Sequence, residues 1–256
     1  MDRSFYRLNG GLYEPNPSAT NAWSRTHQNG VAVGGLLALL CETHRPGEGL
    51  RTCRLTIDIQ RAVPFQPLSA ACSILRDGGR LQMIEAQLMA DGVCFARAAA
   101  VRLRTGASPA SPARSPTHPS PEEAGDTPIT RVLGPGAPVE TRVIEGREDG
   151  RGAYWARINI PIVEGEPIPP VARVVMAADL ASGPASLVDR HDWSFANVDL
   201  SVYLGRPPVD EWVFARSETL SAGDGTAMVT AALADRAGPI GQANQTLFMA
   251  KRASNT

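Results

Sequence analysis

The amino-acid sequence predicts an α+β fold of two fused repeats, each with a central helix wrapped by a curved antiparallel sheet. Three observations support this: an internal repeat, apolar residues that alternate with polar ones, and a low-complexity segment near the middle of the 256-residue chain. That segment is rich in Pro, Ser and Ala and lacks large apolar residues, so we predict a linker at residues 105–130. The predicted domains are residues 1–104 and 131–256.

The two halves align over several stretches when Arg61 is placed on Arg206, an offset of 206 − 61 = 145 residues. Matched residues are apolar in both halves and alternate with other residues, as in a strand with one buried face. The matched pairs are Leu55 with Leu200, Ile57 with Val202, Ile59 with Leu204, Ile84 with Val229, Ala86 with Ala231, Leu88 with Leu233 and Phe95 with Ile240. A fused duplication explains this agreement better than chance does.

Each half also follows the same order of elements. We predict a first strand at 6–13 and 153–160, an apolar helix at 30–44 and 171–188, and then three or four strands joined by glycine-rich turns. The helices contain many small residues, including Gly34 and Gly35 in the first and Ala177 and Ala178 in the second. Because glycine lowers helix propensity, its use predicts that a sheet packs closely around each helix.

Charge and composition argue against several classes of function. The formal net charge of −1 gives no sign of a nucleic-acid or anionic-membrane surface. The N-terminal residues contain no apolar signal-peptide core, and the longest apolar run, 31–41, is too short to span a bilayer. The four cysteines form no CxxC pair and no zinc-ligand cluster. We therefore expect a cytoplasmic protein with reduced thiols and without a metal or cofactor.

Five segments carry a resemblance to a known family. They are QNGVAVGGLLALL (28–40), a long stretch from FQPLSAACS to ARAAAVRL (65–103), VMAADLASG (175–183), FANVDLSVYLGRPP (195–208) and GPIGQANQTLFM (238–249). In order and spacing they resemble the acyl-CoA thioesterase II-like family of double-hotdog thioesterases. The resemblance covers nearly all of the chain except the linker. It implies hydrolysis of acyl-CoA thioesters to a free carboxylic acid and CoA within fatty acid metabolism, and it is compatible with a homo-oligomer.

The resemblance also implies three catalytic residues. An aspartate on the second helix corresponds to Asp179, a threonine or serine on the next strand corresponds to Asn197, and a glutamine on the last strand corresponds to Gln245. Asn197 departs from the pattern, because an amide can orient a water but offers no hydroxyl. We expect Asp179 to accept a proton from a water held by Asn197 and Gln245.

Other residues are predicted to bind the substrate. Gln28, Asn29 and Gly30 stand where the first helix should begin, and free backbone N–H groups there would stabilise a thioester oxyanion. Gly30 would let the ligand approach the backbone closely. Asp199 alternates with Leu200 and so lies on the opposite face of its strand. It is either a supporting partner of the site or a surface charge.

The repeat gives an argument that does not depend on the family. At the offset of 145 residues, the two clearest candidates are matched in the N-terminal half by residues without a polar side chain: Gly34 for Asp179 and Ala100 for Gln245. Thr52 matches Asn197, and Arg54 matches Asp199. A carboxylate in an apolar helical segment is costly unless it is paired or hydrated, which favours a functional role. The structural alternatives are a solvated or capping aspartate, an outward-facing glutamine and a turn-forming asparagine.

Two other functions remain open. One is a non-catalytic protein that binds acyl-CoA or lipid, which the missing hydroxyl at Asn197 favours. The other is a hotdog hydratase or dehydratase, which would need a histidine near the helical aspartate, and none lies near Asp179 in sequence. The sequence contains no GxSxG, Walker A, GxGxxG or HExxH motif, so a serine-hydrolase elbow or a nucleotide-binding loop is not predicted.

Overall fold

The computed structural model describes residues 4–22, 24–109, 112, 117–124, 137–189 and 191–252, and it contains one large antiparallel sheet and two main helices. The elements are β1 (Tyr6–Asn9), β2 (Leu12–Pro15), α1 (Gly30–Thr43), β3 (Leu50–Ile59), β4 (Ser69–Asp77), β5 (Leu81–Ala90), β6 (Val93–Arg104), β7 (Val139–Glu148), β8 (Arg151–Ile158), α2 (Pro170–Asp179), β9 (Trp193–Asn197), β10 (Asp199–Leu204), β11 (Trp212–Leu220), β12 (Thr226–Asp235) and β13 (Gly238–Lys251). Neither helix is long and apolar enough to cross a bilayer, within this described part.

The large sheet joins the two halves of the chain through its central strands. Its order is β4-β5-β6-β3-β10-β13-β12-β11-β8-β7, and β9 also pairs with β13. At the β3–β10 junction, Thr56 lies opposite Ser201, and their hydroxyl oxygens are 3.2 Å apart. These two residues are separated by the 145 residues of the sequence repeat. An antiparallel pair centred on equivalent residues is the register that a local twofold axis requires.

The two helices pack against each other inside this sheet, and the glycines of α1 make that contact close. A Cβ atom added to Gly35 would lie 2.7 Å from the sulfur of Met176, and one added to Gly34 would lie 3.4 Å from Val175. The glycines therefore admit the other helix, although Gly34 also approaches Ile57 of the sheet. The sequence prediction of glycines facing a wrapping sheet was incomplete, because it did not include the helix–helix contact.

The helices do not keep the 145-residue offset of the strands. α1 begins at Gly30 and α2 begins at Pro170, which is an offset of 170 − 30 = 140 residues. The difference of five residues is more than one helical turn. The segment after α2 is also longer, because β9 begins 14 residues after the last residue of α2 whereas β3 begins 7 residues after the last residue of α1. The sequence comparison of Asp179 with Gly34 is therefore displaced by more than one turn.

Several predicted elements are present with different limits. The first helix ends at Thr43, with His44 as its C-cap, close to the predicted end. The second helix ends at Asp179, and a 3-10 turn follows at Leu180–Ser182, so the predicted extension to residue 188 was wrong. Gly183 and Pro184 follow that turn, and a residue before proline is disfavoured in a helix.

The predicted first strand of the N-terminal half is a two-stranded hairpin. β1 and β2 are separated by Gly10 and Gly11, whose φ angles are +56° and +82°. The left-handed region favours glycine, which explains the reversal at this point. In the C-terminal half, β8 is preceded by β7, a strand that the sequence analysis did not predict.

Part of the predicted linker lies on the outer surface of the C-terminal sheet. The His118 ring stacks on Phe214 with a centroid distance of 4.3 Å, and Trp155 donates a hydrogen bond of 3.0 Å to the Pro119 carbonyl. Glu122 pairs with Arg236 at 2.6 Å. Residues 117–124 thus cross the surface over an aromatic cluster, and residues 121–124 form a turn closed by bonds to the Ser120 carbonyl. Residues 110–111, 113–116 and 125–130 of the predicted linker fall outside the described residues, and the domain limits remain predictions.

Candidate active site

A cavity of about 880 Å³ opens beside the first turn of α1 and the last residue of α2. Most of its wall is apolar, with side chains from the N-terminal segment, α1, β3 and β9. Asp179 is the one carboxylate among the described lining residues, and Arg25 is the one arginine. A mainly apolar cavity with a few convergent polar groups is typical of a small-molecule site.

Asp179 is the last residue of α2, and its side chain is held by Asn197. The Nδ2 atom of Asn197 donates to Oδ1 of Asp179 at 3.0 Å and also lies 3.2 Å from the Asp179 backbone carbonyl. The second carboxylate oxygen, Oδ2, accepts no hydrogen bond from the described residues. Because Asp179 lines the cavity, that oxygen is available to a water or a ligand.

Side chains from the sheet also fix the backbone at the end of α2. The Tyr154 hydroxyl donates to the Ala177 carbonyl at 2.7 Å, and Nε2 of Gln245 donates to the carbonyls of Ala178 and Asp179, both at 3.1 Å. The last carbonyls of a helix have no partner within the helix, so these bonds satisfy groups that would otherwise be left unpaired. They also fix the position from which the Asp179 side chain projects.

The surroundings of Asp179 change its acidity. Burial raises the pKa of the Asp179 carboxyl from 3.8 to about 6, and the hydrogen bond from Asn197 acts in the opposite direction. The side chain is only partly exposed, through the cavity that it lines. A carboxyl with a pKa near 6 is mostly ionised at neutral pH and is a stronger base than an ordinary aspartate.

A β-bulge turns Asn197 towards the inside of the sheet. On β13, Asn244 pairs with Ser201 and Leu247 pairs with Asn197. The four steps from residue 197 to 201 therefore lie opposite three steps on β13, and the extra residue is on the β9–β10 side. The extra residue reverses the alternation of side chains before β10. Without it, Asn197 would face the side of the sheet opposite to buried Leu200. β3 has a register shift at the equivalent place, between Thr52 and Arg54.

The N-terminus of α1 faces the same cavity. Asn29 caps the helix, because its Oδ1 accepts from the Ala32 N–H at 2.8 Å, and its amide donates to the carbonyls of Ser18 and Thr20. The backbone N–H groups of Gly30 and Val31 have no acceptor among the described residues. A helix N-terminus with free donors is a site for a developing negative charge.

Gly30 is needed here for a reason that differs from the sequence prediction. A Cβ atom at this position would lie 2.7 Å from both carboxylate oxygens of Asp179. The missing side chain therefore makes room for the Asp179 carboxylate, which lies directly over the first turn of α1. The prediction that Gly30 admits the ligand is not tested by this contact.

Two predicted binding residues have other tasks in the structure. Gln28 borders the cavity, but its side chain accepts from the Tyr6 hydroxyl at 2.6 Å and donates to the Pro64 carbonyl at 2.7 Å. Asp199 does not line the cavity, and its carboxylate accepts a hydrogen bond from the Thr246 N–H, where it stabilises the bulge. Gln245 also lies behind the cavity wall rather than in it.

Sequence reasoning missed three residues of this region. Ser182 and Arg25 line the cavity, and Tyr154 supports the end of α2. Ser182 lies within the family-like segment VMAADLASG, so its closeness to Asp179 in sequence was a usable signal. Arg25 and Tyr154 come from distant parts of the chain, and no local pattern indicates that they belong together.

The corresponding place in the other half lacks the same chemistry. The N-cap and first residue of α2 are Pro169 and Pro170, which have no N–H group to donate. At the end of α1, buried Arg102 donates to the carbonyls of Cys41 and Glu42 and to the side chain of Gln82. A guanidinium thus lies at this helix end, and the Glu42 carboxylate there accepts from the Thr52 hydroxyl and does not line the cavity.

Two family models match the chain. The acyl-CoA thioesterase N-terminal domain matches residues 19–103, and the acyl-CoA thioesterase C-terminal domain matches residues 88–249. The chain belongs to the acyl-CoA thioesterase family. Membership in this family supports thioester hydrolysis as the general activity and an acyl-CoA as the substrate. A search of curated proteins gives no match.

Solved structures similar to this family member support the fold. A tesB protein of Mycobacterium avium subsp. paratuberculosis has a TM-score of 0.69 and 18% identity, with 95% of this chain and 94% of that chain covered. The acyl-CoA thioesterase II TesB2 of Mycobacterium marinum has a TM-score of 0.68 and 16% identity, with 97% and 96% covered. A protein of Alicyclobacillus acidocaldarius described as having a hot dog fold has a TM-score of 0.71 and 15% identity, with 98% of both chains covered. At these identities the likeness establishes a hotdog fold.

The raised pKa of Asp179 predicts a change in stability when the charge is removed from this thioesterase-family protein. A carboxyl with a folded-state pKa of about 6 and an unfolded value near 3.8 stabilises the fold most below about pH 4, and this contribution is lost as pH rises through 6. We therefore expect Asp179→Asn to raise the free energy of unfolding at pH 8 by about 1–2 kcal/mol, allowing for solvent in the cavity. Urea unfolding at pH 8 and pH 4 measures it. A variant that is less stable than wild type at pH 8 would contradict the assignment of a destabilising buried charge.

Proposed function

We propose that this chain hydrolyses acyl-CoA thioesters at the junction of α1 and α2, with Asp179 as the general base. The observation that carries the proposal is the position of the Asp179 carboxylate. It lies over Gly30, it is held by Asn197, and it opens onto a largely apolar cavity beside two unpaired backbone N–H groups. This arrangement combines a base, an oxyanion site and room for an acyl chain.

In the proposed reaction, Oδ2 of Asp179 accepts a proton from a water while the water oxygen bonds to the thioester carbonyl carbon. The carbonyl oxygen becomes an oxyanion, which the N–H groups of Gly30 and Val31 stabilise as donors. The tetrahedral intermediate then collapses, the carbon–sulfur bond breaks, and CoA leaves as a thiolate that takes up a proton. A thiol of pKa about 8.5 is a good leaving group, so the main demands are on water delivery and on the oxyanion.

Asn197 and Gln245 are proposed to orient the base and the water. Asn197 donates to Oδ1 of Asp179, which leaves Oδ2 as the oxygen that meets the water. The Oε1 atom of Gln245 is buried and has no hydrogen-bond partner among the described residues. A buried amide oxygen without a partner is costly, and a bound water that donates to it would remove that cost. Gln245 would then hold the water as well as the end of α2.

We also infer that the chain is a double hotdog formed by duplication, with a single hydrolytic site. The register of β3 on β10 centres on residues 145 apart, and register shifts occur at equivalent places in both halves. The prolines at the start of α2 and Arg102 at the end of α1 are incompatible with a second site of the same kind. The loss of selection for a second site explains the asymmetry.

The alternative function is binding of acyl-CoA or lipid without hydrolysis, and the absence of a hydroxyl at Asn197 is the observation that favours it. Against it stands the carboxylate itself. A partly buried, ionisable aspartate at the end of a helix costs stability, and binding of an apolar acyl chain gives no reason to retain it. We therefore rank hydrolysis first.

Release of CoA thiol from acyl-CoAs of several chain lengths, followed with a colorimetric thiol reagent, tests the function. We expect turnover by the wild-type protein, and we expect Asp179→Asn to lower kcat by about 100-fold or more, because a general base typically contributes that much. Gln245→Ala should cause a smaller loss, about tenfold, through weaker water orientation. Thermal protection by acyl-CoA without thiol release would support the binding alternative, and unchanged turnover in Asp179→Asn would remove this residue from the chemistry.

A second prediction concerns the CoA moiety, which carries several phosphate charges. Arg25 lines the cavity, is exposed and has no ion-pair partner among the described residues. We expect Arg25→Gln to raise KM for acyl-CoA about fivefold, the size of an exposed charge pair, without changing kcat. Hydrolysis of the matching acyl-N-acetylcysteamine thioester, which lacks the phosphates, should not change.

The matched control is Arg76→Gln, which removes an exposed arginine on β4 away from the cavity. It should leave KM for both substrates as in wild type. An equal rise of KM for both substrates in Arg25→Gln would show that Arg25 shapes the cavity rather than binding phosphate.

A further inference from the structure

The geometry points to Ser182 as a positioning residue for this reaction: its hydroxyl fixes the Asn197 amide so that the NH2 group faces Asp179. This inference rests on the proposed function of Asp179 as the base. It assigns a role to a residue that the family pattern does not include, and it explains how the site accommodates asparagine where the resemblance leads us to expect a hydroxyl.

The position of Ser182 follows from the end of α2. It is the last residue of the 3-10 turn Leu180–Ser182, which continues directly from Asp179. Its side chain is 5% exposed and borders the cavity. The Ser182 hydroxyl donates to Oδ1 of Asn197 at 3.2 Å. Among the described residues, this is the one hydrogen bond that Oδ1 of Asn197 receives.

The orientation of the Asn197 amide matters because the two ends of an asparagine side chain have opposite hydrogen-bonding roles. The NH2 group donates and the oxygen accepts, whereas an ionised carboxylate can only accept. If the Asn197 amide rotated by half a turn, its oxygen would face Oδ1 of Asp179 and would repel the ionised form. In the observed orientation the NH2 group donates to Oδ1 and to the backbone carbonyl of Asp179, and the Ser182 hydroxyl donates to the oxygen at the other end and holds the amide in place.

Ser182 and Asn197 together thereby do what a single hydroxyl would do beside the Asp179 carboxylate. A threonine or serine on the strand would supply one hydroxyl beside the carboxylate. Here the hydroxyl comes from the turn after α2, and the amide on β9 carries the hydrogen bond across to Asp179. The bulge before β10 is required for this, since it turns Asn197 inward towards the helix end.

Few other ionisable groups face Asp179. Tyr154, on β8, lies nearby, but burial raises its pKa well above 10, so it stays neutral throughout the working range. Arg25 and His27 line the same cavity from the N-terminal segment. Neither forms a hydrogen bond with Asp179 among the described contacts. Ionisation of Asp179 is therefore controlled mainly by its burial and by the orientation of Asn197.

The first test compares the pH dependence of kcat/KM in wild type and Ser182→Ala. Loss of the hydroxyl removes the anchor that holds the Asn197 amide beside the carboxylate, so the bond from Asn197 to Asp179 should weaken. The acidic limb of the pH profile should then move up by about one pH unit, the size of one lost charge-assisted hydrogen bond. In that case kcat/KM falls about tenfold at pH 5 and stays within about twofold of wild type at pH 8. A uniform loss at all pH values, or an unchanged profile, would overturn the proposal.

The matched control is Ser217→Ala. Ser217 is also a buried serine, and it donates to the carbonyls of Gly152 and Ala181, so it touches the same turn but not Asn197. This variant should lower thermal stability without moving the acidic limb. If Ser182→Ala does not fold, Ser182→Cys keeps the volume with a weaker donor and should shift the limb in the same direction.

A second readout does not depend on catalysis. The carboxyl carbon of Asp179 can be titrated by NMR in the folded protein, and its midpoint should rise by about one pH unit in Ser182→Ala. In an Asn197→Ala background, Ser182→Ala should cause no further rise, because the serine acts through the amide. If the midpoint shifts as expected but no acyl-CoA is hydrolysed, the proposed function fails while this inference stands. An unshifted midpoint contradicts the inference whatever the activity.

Discussion

The site depends on how one helix ends. α2 stops at Asp179, and side chains from three strands take its last carbonyls, so the carboxylate projects from a fixed point into a partly dry environment. Helix ends are usually capped by water or by a glycine turn. Here Tyr154, Asn197 and Gln245 replace both, and two of these residues also control the chemistry that we propose. The raised pKa of Asp179, the space at Gly30 and the role of Ser182 all follow from that capped end.

The asymmetry between the halves has a clear physical basis. Each helix N-terminus lies beside the other helix in such an arrangement, so a site needs donors from one helix and a carboxylate from the other. α1 supplies free N–H groups at Gly30 and Val31, whereas α2 begins with two prolines that have none. At the end of α1, the Glu42 carboxylate accepts from the Thr52 hydroxyl, and Arg102 donates to the nearby carbonyls. The two halves thus share equivalent register shifts, whereas the groups that we propose to be reactive occur at one pair of helix ends.

Much of the sheet could be predicted from the sequence, because strand alternation is a local pattern and is visible in both halves. Asp179 and Gln245 were predicted from the family resemblance; Asp179 is the last residue of α2, and the side chain of Gln245 on β13 donates to the carbonyls there. The inward direction of Asn197 could not be derived, since it depends on a one-residue bulge that reverses the alternation. Gln28 and Asp199 remain predicted binding residues, but their hydrogen bonds could not be predicted, since they involve Tyr6 and Pro64 for Gln28 and Thr246 for Asp199. Partners so distant in sequence leave no local signal.

If the partly buried Asp179 carboxylate acts as the base, its raised pKa should govern the pH profile of the wild-type protein. Hydrolysis of one acyl-CoA should be measured as kcat/KM between pH 4 and pH 8, with CoA thiol release as the signal. We expect a single acidic limb with an apparent pKa of about 6 and a plateau above it, because the ionised form of Asp179 is the active one. A limb near the ordinary aspartate value of about 3.9, or a rate that does not change across this range, would contradict it.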